Sequence, residues 1–158
     1  MFRQFKFEET LYPKLEGVPL STSFKLDTIG VEFPLPIWGK LALEERWVLC
    51  HMPIRSKGER ECYAGYLAFL LKRHGVPAPP PAAPAKRVWE EIARIPVEVA
   101  HKAATLNLPI YWPEWIKLDD IERYAVYKLC RENAEDRLLR QAVQELLGLA
   151  DLSARANG

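Results

Sequence analysis

Two glutamates, Glu45 and Glu122, stand among apolar residues that a helical wheel places on one face. Glu45 lies between Leu41 and Val48, and Glu122 between Leu118 and Ala125. A carboxylate on such a face needs a partner, because burying an unpaired charge costs on the order of several kcal/mol. One role that meets this need is a structural hydrogen bond, to the preceding loop or to Lys25 and Lys102. The other brings both carboxylates together as a metal or acid–base pair. A role repeated at both positions is more simply fold geometry, so Glu45 and Glu122 are read as buried structural carboxylates.

Each glutamate is followed by an arginine at the edge of the same face. Arg123 has Asp119 four residues before it, a favourable helical pair, whereas Arg46 has only Ala42 there. Arg46 is therefore the freer cation, open to a ligand or partner anion, with an interhelical ion pair as the alternative. Metal chemistry finds no support in spacing. Cys50, His51, Cys62, His74, His101 and Cys130 form no helical i, i+3 or i, i+4 pair and no knuckle. Neither a G-x-S-x-G elbow nor a Walker or GxGxxG loop is present. The residues point away from an enzyme and call for no cofactor.

The elements that carry these residues come in two copies. Val18 to Cys50 returns without a gap 77 residues later as Ile95 to Tyr127, with nine of 33 positions identical. Among them are Pro19/Pro96, Lys25/Lys102, Thr28/Thr105, Trp38/Trp115, Glu45/Glu122 and Arg46/Arg123. A period of this kind has to be recognised before any other pattern is interpreted. The chain reads as an all-α tandem duplication of a roughly 65-residue, three-to-four-helix unit, residues 9–75 and 86–152. A Pro/Ala-rich spacer, residues 76–85, joins the copies. Units of that size are marginal alone, so one domain over 1–158, packed about a pseudo-two-fold axis, is expected.

Within each copy the pattern predicts a helix opening at Pro19 or Pro96 and closing at Gly30 or Asn107, the residue types that best adopt a left-handed cap. After a proline-broken link, a central helix is predicted over about 37–52 and 114–129, with Trp38 and Trp115 as core anchors. Trp47, Trp89 and Trp112 are less determined, and one of them suits an exposed interface. The third helix opens on a Ser56-to-Glu59 capping box and closes at Gly75, with Cys62, Tyr66, Phe69 and Leu70 as its stripe. Its partner is predicted from Asn133, with Asp136 in place of Glu59. Tyr63 and Leu67 stand where the second copy has Arg140 and Gln144, so that extra apolar surface implies deeper burial or a partner site. Before the first helix, Met1 to Glu8 is predicted as a short extended arm with one apolar edge.

Composition excludes several classes. Of the 158 residues about half are hydrophobic, 27% are charged, and the formal net charge is +1. That balance gives no case for nucleic acid. The longest apolar stretch falls far short of the roughly 20 residues a membrane span needs. The first residues lack an apolar signal core, and three unpaired cysteines suit reduced thiols, so a cytoplasmic location is expected.

Phe5-Lys6-Phe7-Glu8, Pro19, Lys25-Leu26-Asp27-Thr28-Ile29-Gly30-Val31, Trp38 and Glu45-Arg46 together resemble the signature of the nitrate reductase-associated proteins, small bacterial proteins common in cyanobacteria. The second half fits as well, so the resemblance covers nearly the whole chain. Ile29 stands where members often carry cysteine, and the Pro/Ala spacer also departs from the pattern. The resemblance implies a non-enzymatic accessory or maturation factor for assimilatory, molybdenum-dependent nitrate reductase, acting by protein–protein contact. Its partner would be the reductase or its maturation machinery. Two alternatives stay open: a small-molecule, metal or molybdopterin binder at the seam between repeats, and a regulatory helical module unrelated to nitrate. Candidate contact residues are Asp27, Thr28 and Arg46 from the signature, with Tyr63 and Leu67 as an apolar patch. Asp27 is chosen because Ala104 replaces it in the second copy, the alternative being a local hydrogen bond at the helix end.

Overall fold

Proline and left-handed residues punctuate the chain, and helices fill the intervals between them. In a computed structural model, which describes residues 2–77 and 86–148, every regular element is helical. The chain divides into two compact units, Met1–Lys86 and Arg87–Gly158. The predicted spacer falls almost entirely on residues 78–85, outside the described residues. Among the described residues no helix is long and apolar enough to cross a membrane.

The first unit holds α1 (Leu20–Ile29), α2 (Leu35–Lys40), α3 (Leu43–His51) and α4 (Lys57–Arg73). Pro19 is extended at the start of α1, and Gly30 closes it at φ 74°. There the Val31 N–H returns to the Leu26 carbonyl at 3.0 Å, a closure that a left-handed glycine permits. Ahead of α1 the predicted arm curls into a 3₁₀ turn, Lys6–Glu8. Phe5 is buried, and the Phe2 ring packs edge-on to Tyr12 and Trp47.

The predicted central helix is two helices. Leu41 and Ala42 are extended, with ψ of 146° and 152°, and separate α2 from α3. Ala42 has no side-chain oxygen to announce a start, so the apolar periodicity runs through the break unmarked. The break restarts the wheel at Leu43. Leu49 and Cys50 face inward, while Leu43 and Val48, the latter predicted on the core face, are exposed. Pro53 then stops α3.

Ser56 opens α4 with a full capping box. The Glu59 N–H donates to Ser56 Oγ at 3.1 Å, and the Ser56 N–H donates to Glu59 Oε2 at 2.8 Å. The buried stripe of α4 is not the predicted one. Tyr63, Leu67, Leu70 and Leu71 are buried, whereas Cys62 and Phe69 are exposed and Tyr66 is half-buried. Both stripes have helical period and share Leu70, and packing buries the one that carries Tyr63, Leu67 and Leu71.

The second unit holds α5 (Val97–Leu106), α6 (Trp112–Trp115), α7 (Asp120–Arg131) and α8 (Asp136–Leu146), preceded by a 3₁₀ turn at Val88–Glu90. α5 begins after Pro96 and closes at Asn107, φ 53°. Here too the predicted central helix is interrupted, between α6 and α7. Asp119 can cap, and accepts the Glu122 N–H at 2.8 Å. α7 packs against α5 and α8 and buries Tyr124, Ala125 and Val126. It outruns α3 because Cys130 occupies the place corresponding to Pro53. Asn133 does not open α8. It adopts φ 50° and closes α7, with the Ala134 N–H returning to the Leu129 carbonyl at 3.1 Å, so α8 starts only at Asp136.

Candidate functional site

The signature tryptophan and arginine of the first unit converge on one strained residue. Leu15 is fully buried at φ 47°, a region that costs a non-glycine residue strain. Its carbonyl accepts from Trp38 Nε1 at 2.8 Å and from Arg46 Nη1 at 3.2 Å. Arg46 also donates to the Lys14 carbonyl at 3.1 Å and, through Nη2, to the Gly39 carbonyl at 2.9 Å. Arg46 is therefore not the free cation that its spacing suggested. Its guanidinium ties the loop before α1 to the end of α2.

Arg123 does the corresponding work in the second unit. Its Nε donates to the Trp89 carbonyl at 2.8 Å, Nη1 bonds the Leu118 carbonyl, and Nη2 bonds the Asp120 carboxylate. It is buried rather than at an edge, and its carboxylate partner is Asp120. Trp115, fully buried like Trp38, donates to the Glu91 carbonyl at 3.3 Å. Of the remaining tryptophans, Trp89 is buried, Trp47 half-buried and Trp112 exposed.

Glu45 and Glu122 are half-buried. Glu45 Oε2 accepts the Ala42 N–H at 2.9 Å, and Glu122 Oε2 accepts the Asp119 N–H at 2.9 Å. Each caps the helix it belongs to by accepting from the residue just before it, the preceding-loop hydrogen bond that was one of the two expected partners. Glu45 also pairs with Arg73 of α4. Burial acts to raise the Glu45 carboxyl, but the Ala42 N–H, Arg73 and His74 outweigh it and hold the group below the usual carboxylate range.

Lys25 turns to backbone. Its Nζ donates to the Cys50 carbonyl at 2.5 Å and the Met52 carbonyl at 2.7 Å, placing a cation on the C-terminal carbonyls of α3. Thr22, one turn earlier on α1, donates to Cys50 Sγ at 3.2 Å. Burial lowers Lys25 to about 8 and raises the Cys50 thiol. Cys130 is likewise pushed up to about 12 by burial. Both buried thiols are held in the protonated form, the state that is not a nucleophile. Lys102 pairs with Asp136 at 3.4 Å. This Lys25–Cys50–Thr22 cluster escaped the sequence reading, whose only hint was that Lys25 recurs in both copies.

The contact candidates do not form one patch. Asp27 and Thr28 are half-buried neighbours in the last turn of α1, where the Asp27 carbonyl accepts the Gly30 N–H at 3.2 Å. Tyr63 and Leu67 are core residues rather than a surface patch, and the Tyr63 hydroxyl donates to the Leu49 carbonyl at 3.0 Å. The hydroxyl is satisfied inside, so tyrosine can occupy a core position. Among the described residues no group of three or more His, Cys, Asp or Glu side chains could hold a metal ion.

A family model described as the conserved nitrate reductase-associated protein matches residues 4–146. The chain belongs to that family. No curated protein and no solved structure matches it. Within the nitrate reductase-associated pattern, Glu8 also has an assignable role. Its carboxylate accepts the Leu20 N–H at 3.0 Å and the Tyr12 hydroxyl at 3.1 Å, supplying the cap that Pro19 cannot.

Proposed function

We propose that the protein is a non-enzymatic accessory or maturation factor for assimilatory, molybdenum-dependent nitrate reductase, acting in the cytoplasm by protein–protein contact. The single observation that carries this reading is the family match over residues 4–146 and its description. The side-chain chemistry is compatible with it. Arg46, Arg123, Glu45, Glu122 and Lys25 are engaged by hydrogen bonds within their own units. Asp27 and Thr28 remain our proposed contacts from the signature.

We read the two units as copies of one ancestral unit. α1 and α5 have the same length and are offset by 77 residues at both ends, and the starts of α3 and α7 share that offset. Most residues repeated in both copies serve the fold, and those that differ, such as Asp27 against Ala104, are free to serve a partner.

The test is growth of a deletion strain. Slow growth on nitrate with normal growth on ammonium is expected, and equal growth on both would contradict the reading.

A further inference from the structure

The end of α4 carries an aromatic and cationic cluster that the fold does not consume. Phe69 is 58% exposed, its ring stacks on Tyr66 with centroids 6.5 Å apart, and the Arg73 guanidinium lies 6.0 Å over it. Arg73, with a side chain 47% exposed, uses Nη2 for Glu45 and keeps its other donors. Next to it Lys72 is exposed, and His74 Nε2 is buried without a hydrogen-bond partner. Glu45 is the carboxylate paired within this group, against two fixed cations and an imidazole.

Phe69 touches Tyr66 and Arg73 but leaves most of its surface in solvent. The corresponding residue 77 positions on is Leu146, and Tyr66 corresponds to the buried Val143. Tyrosine and arginine beside a second aromatic ring make up the composition at which binding energy concentrates in protein interfaces. The surplus of donors and positive charge selects the occupant. A carboxylate would complete the second edge of Arg73 and pair with Lys72, while an apolar side chain covered Phe69.

We propose that Tyr66, Phe69, Lys72 and Arg73 form a docking surface for an acidic segment of the partner that sets an apolar residue beside its carboxylates. The inference rests on the accessory reading, and the partner tested is the nitrate reductase.

Purified nitrate reductase is titrated with the full-length protein and with Phe69→Ser, Arg73→Glu and Lys72→Glu, each checked for unchanged helicity. Lys72→Glu leaves the Glu45–Arg73 pair in place. Wild type binds, and binding weakens with added salt. Phe69→Ser weakens binding by about tenfold or more while keeping the salt dependence. Both charge reversals weaken it and flatten the salt dependence. Wild-type binding that all three variants match would overturn this surface and leave the accessory reading standing. Failure of wild type to bind the reductase would overturn both. Phe69-dependent self-association without reductase binding would assign the surface to a second copy of the chain instead.

Discussion

Lys25 reaches from α1 to the Cys50 carbonyl, 2.5 Å away, and so caps α3 from outside the helix. Its burial depresses the ammonium to about 8, from an ordinary value near 10.5. Between those values the unfolded chain keeps a proton that the folded chain releases. Stability therefore rises with pH across that window, by at most about 3 kcal/mol over its full width. Cys50 and Tyr63 act oppositely, because burial raises both and their contribution is lost as pH climbs above their ordinary values of 9 and 10. The net rise is thus confined to about pH 8–9. Denaturant unfolding at pH 7.5 and 9 checks this: wild type gains stability, and Lys25→Met shows a smaller gain or none. Equal slopes for both proteins would contradict it.

Arg46 holds three backbone carbonyls in a fixed fork. Arg46→Ala is expected to cost about 1–3 kcal/mol, since it releases the strained Leu15 loop as well as the hydrogen bonds. Arg46→Lys rescues little, because a single ammonium cannot span three carbonyls. Unfolding curves of the two variants decide the matter, and full rescue by lysine would count against this role.

Leu67 is buried between α4 and the core of the first unit. Leu67→Ala is expected to destabilise by about 2–5 kcal/mol, as truncations in a packed core do. Tyr63→Phe, which removes only the donor to the Leu49 carbonyl, costs about 1 kcal/mol. A Leu67→Ala variant as stable as wild type would restore the residue to the surface.

Local signals and tertiary choices separate cleanly along this chain. The capping box at Ser56, the left-handed closures at Gly30 and Asn107 and the core tryptophans Trp38 and Trp115 were legible, because each depends on residue type within one or two turns. The break at Ala42 was not, since alanine carries no capping group and the apolar period continues across it. The stripe of α4 was misread because Cys62, Tyr66 and Phe69 lie only about one residue step around the helix from Tyr63, Leu67 and Leu70. Only packing chooses between those two faces. The partners of Lys25, Arg46 and Arg123 are mainly backbone carbonyls, which every residue has and no sequence pattern marks.

Glu8 caps α1 from twelve residues upstream. Glu8→Ala is expected to cost about 1–2 kcal/mol, in the range of a lost N-terminal cap. Thermal melts of the variant check it, and an unchanged midpoint would deny the carboxylate that role.

Contact with the reductase is the interaction on which the proposed function depends. Its most direct test is to recover the tagged protein from nitrate-grown cells, probe the eluate for nitrate reductase, and repeat with Asp27→Ala. The reductase is expected to accompany wild type and to be depleted with a variant that retains its helicity. An eluate free of reductase, from cells that contain it, would contradict the account.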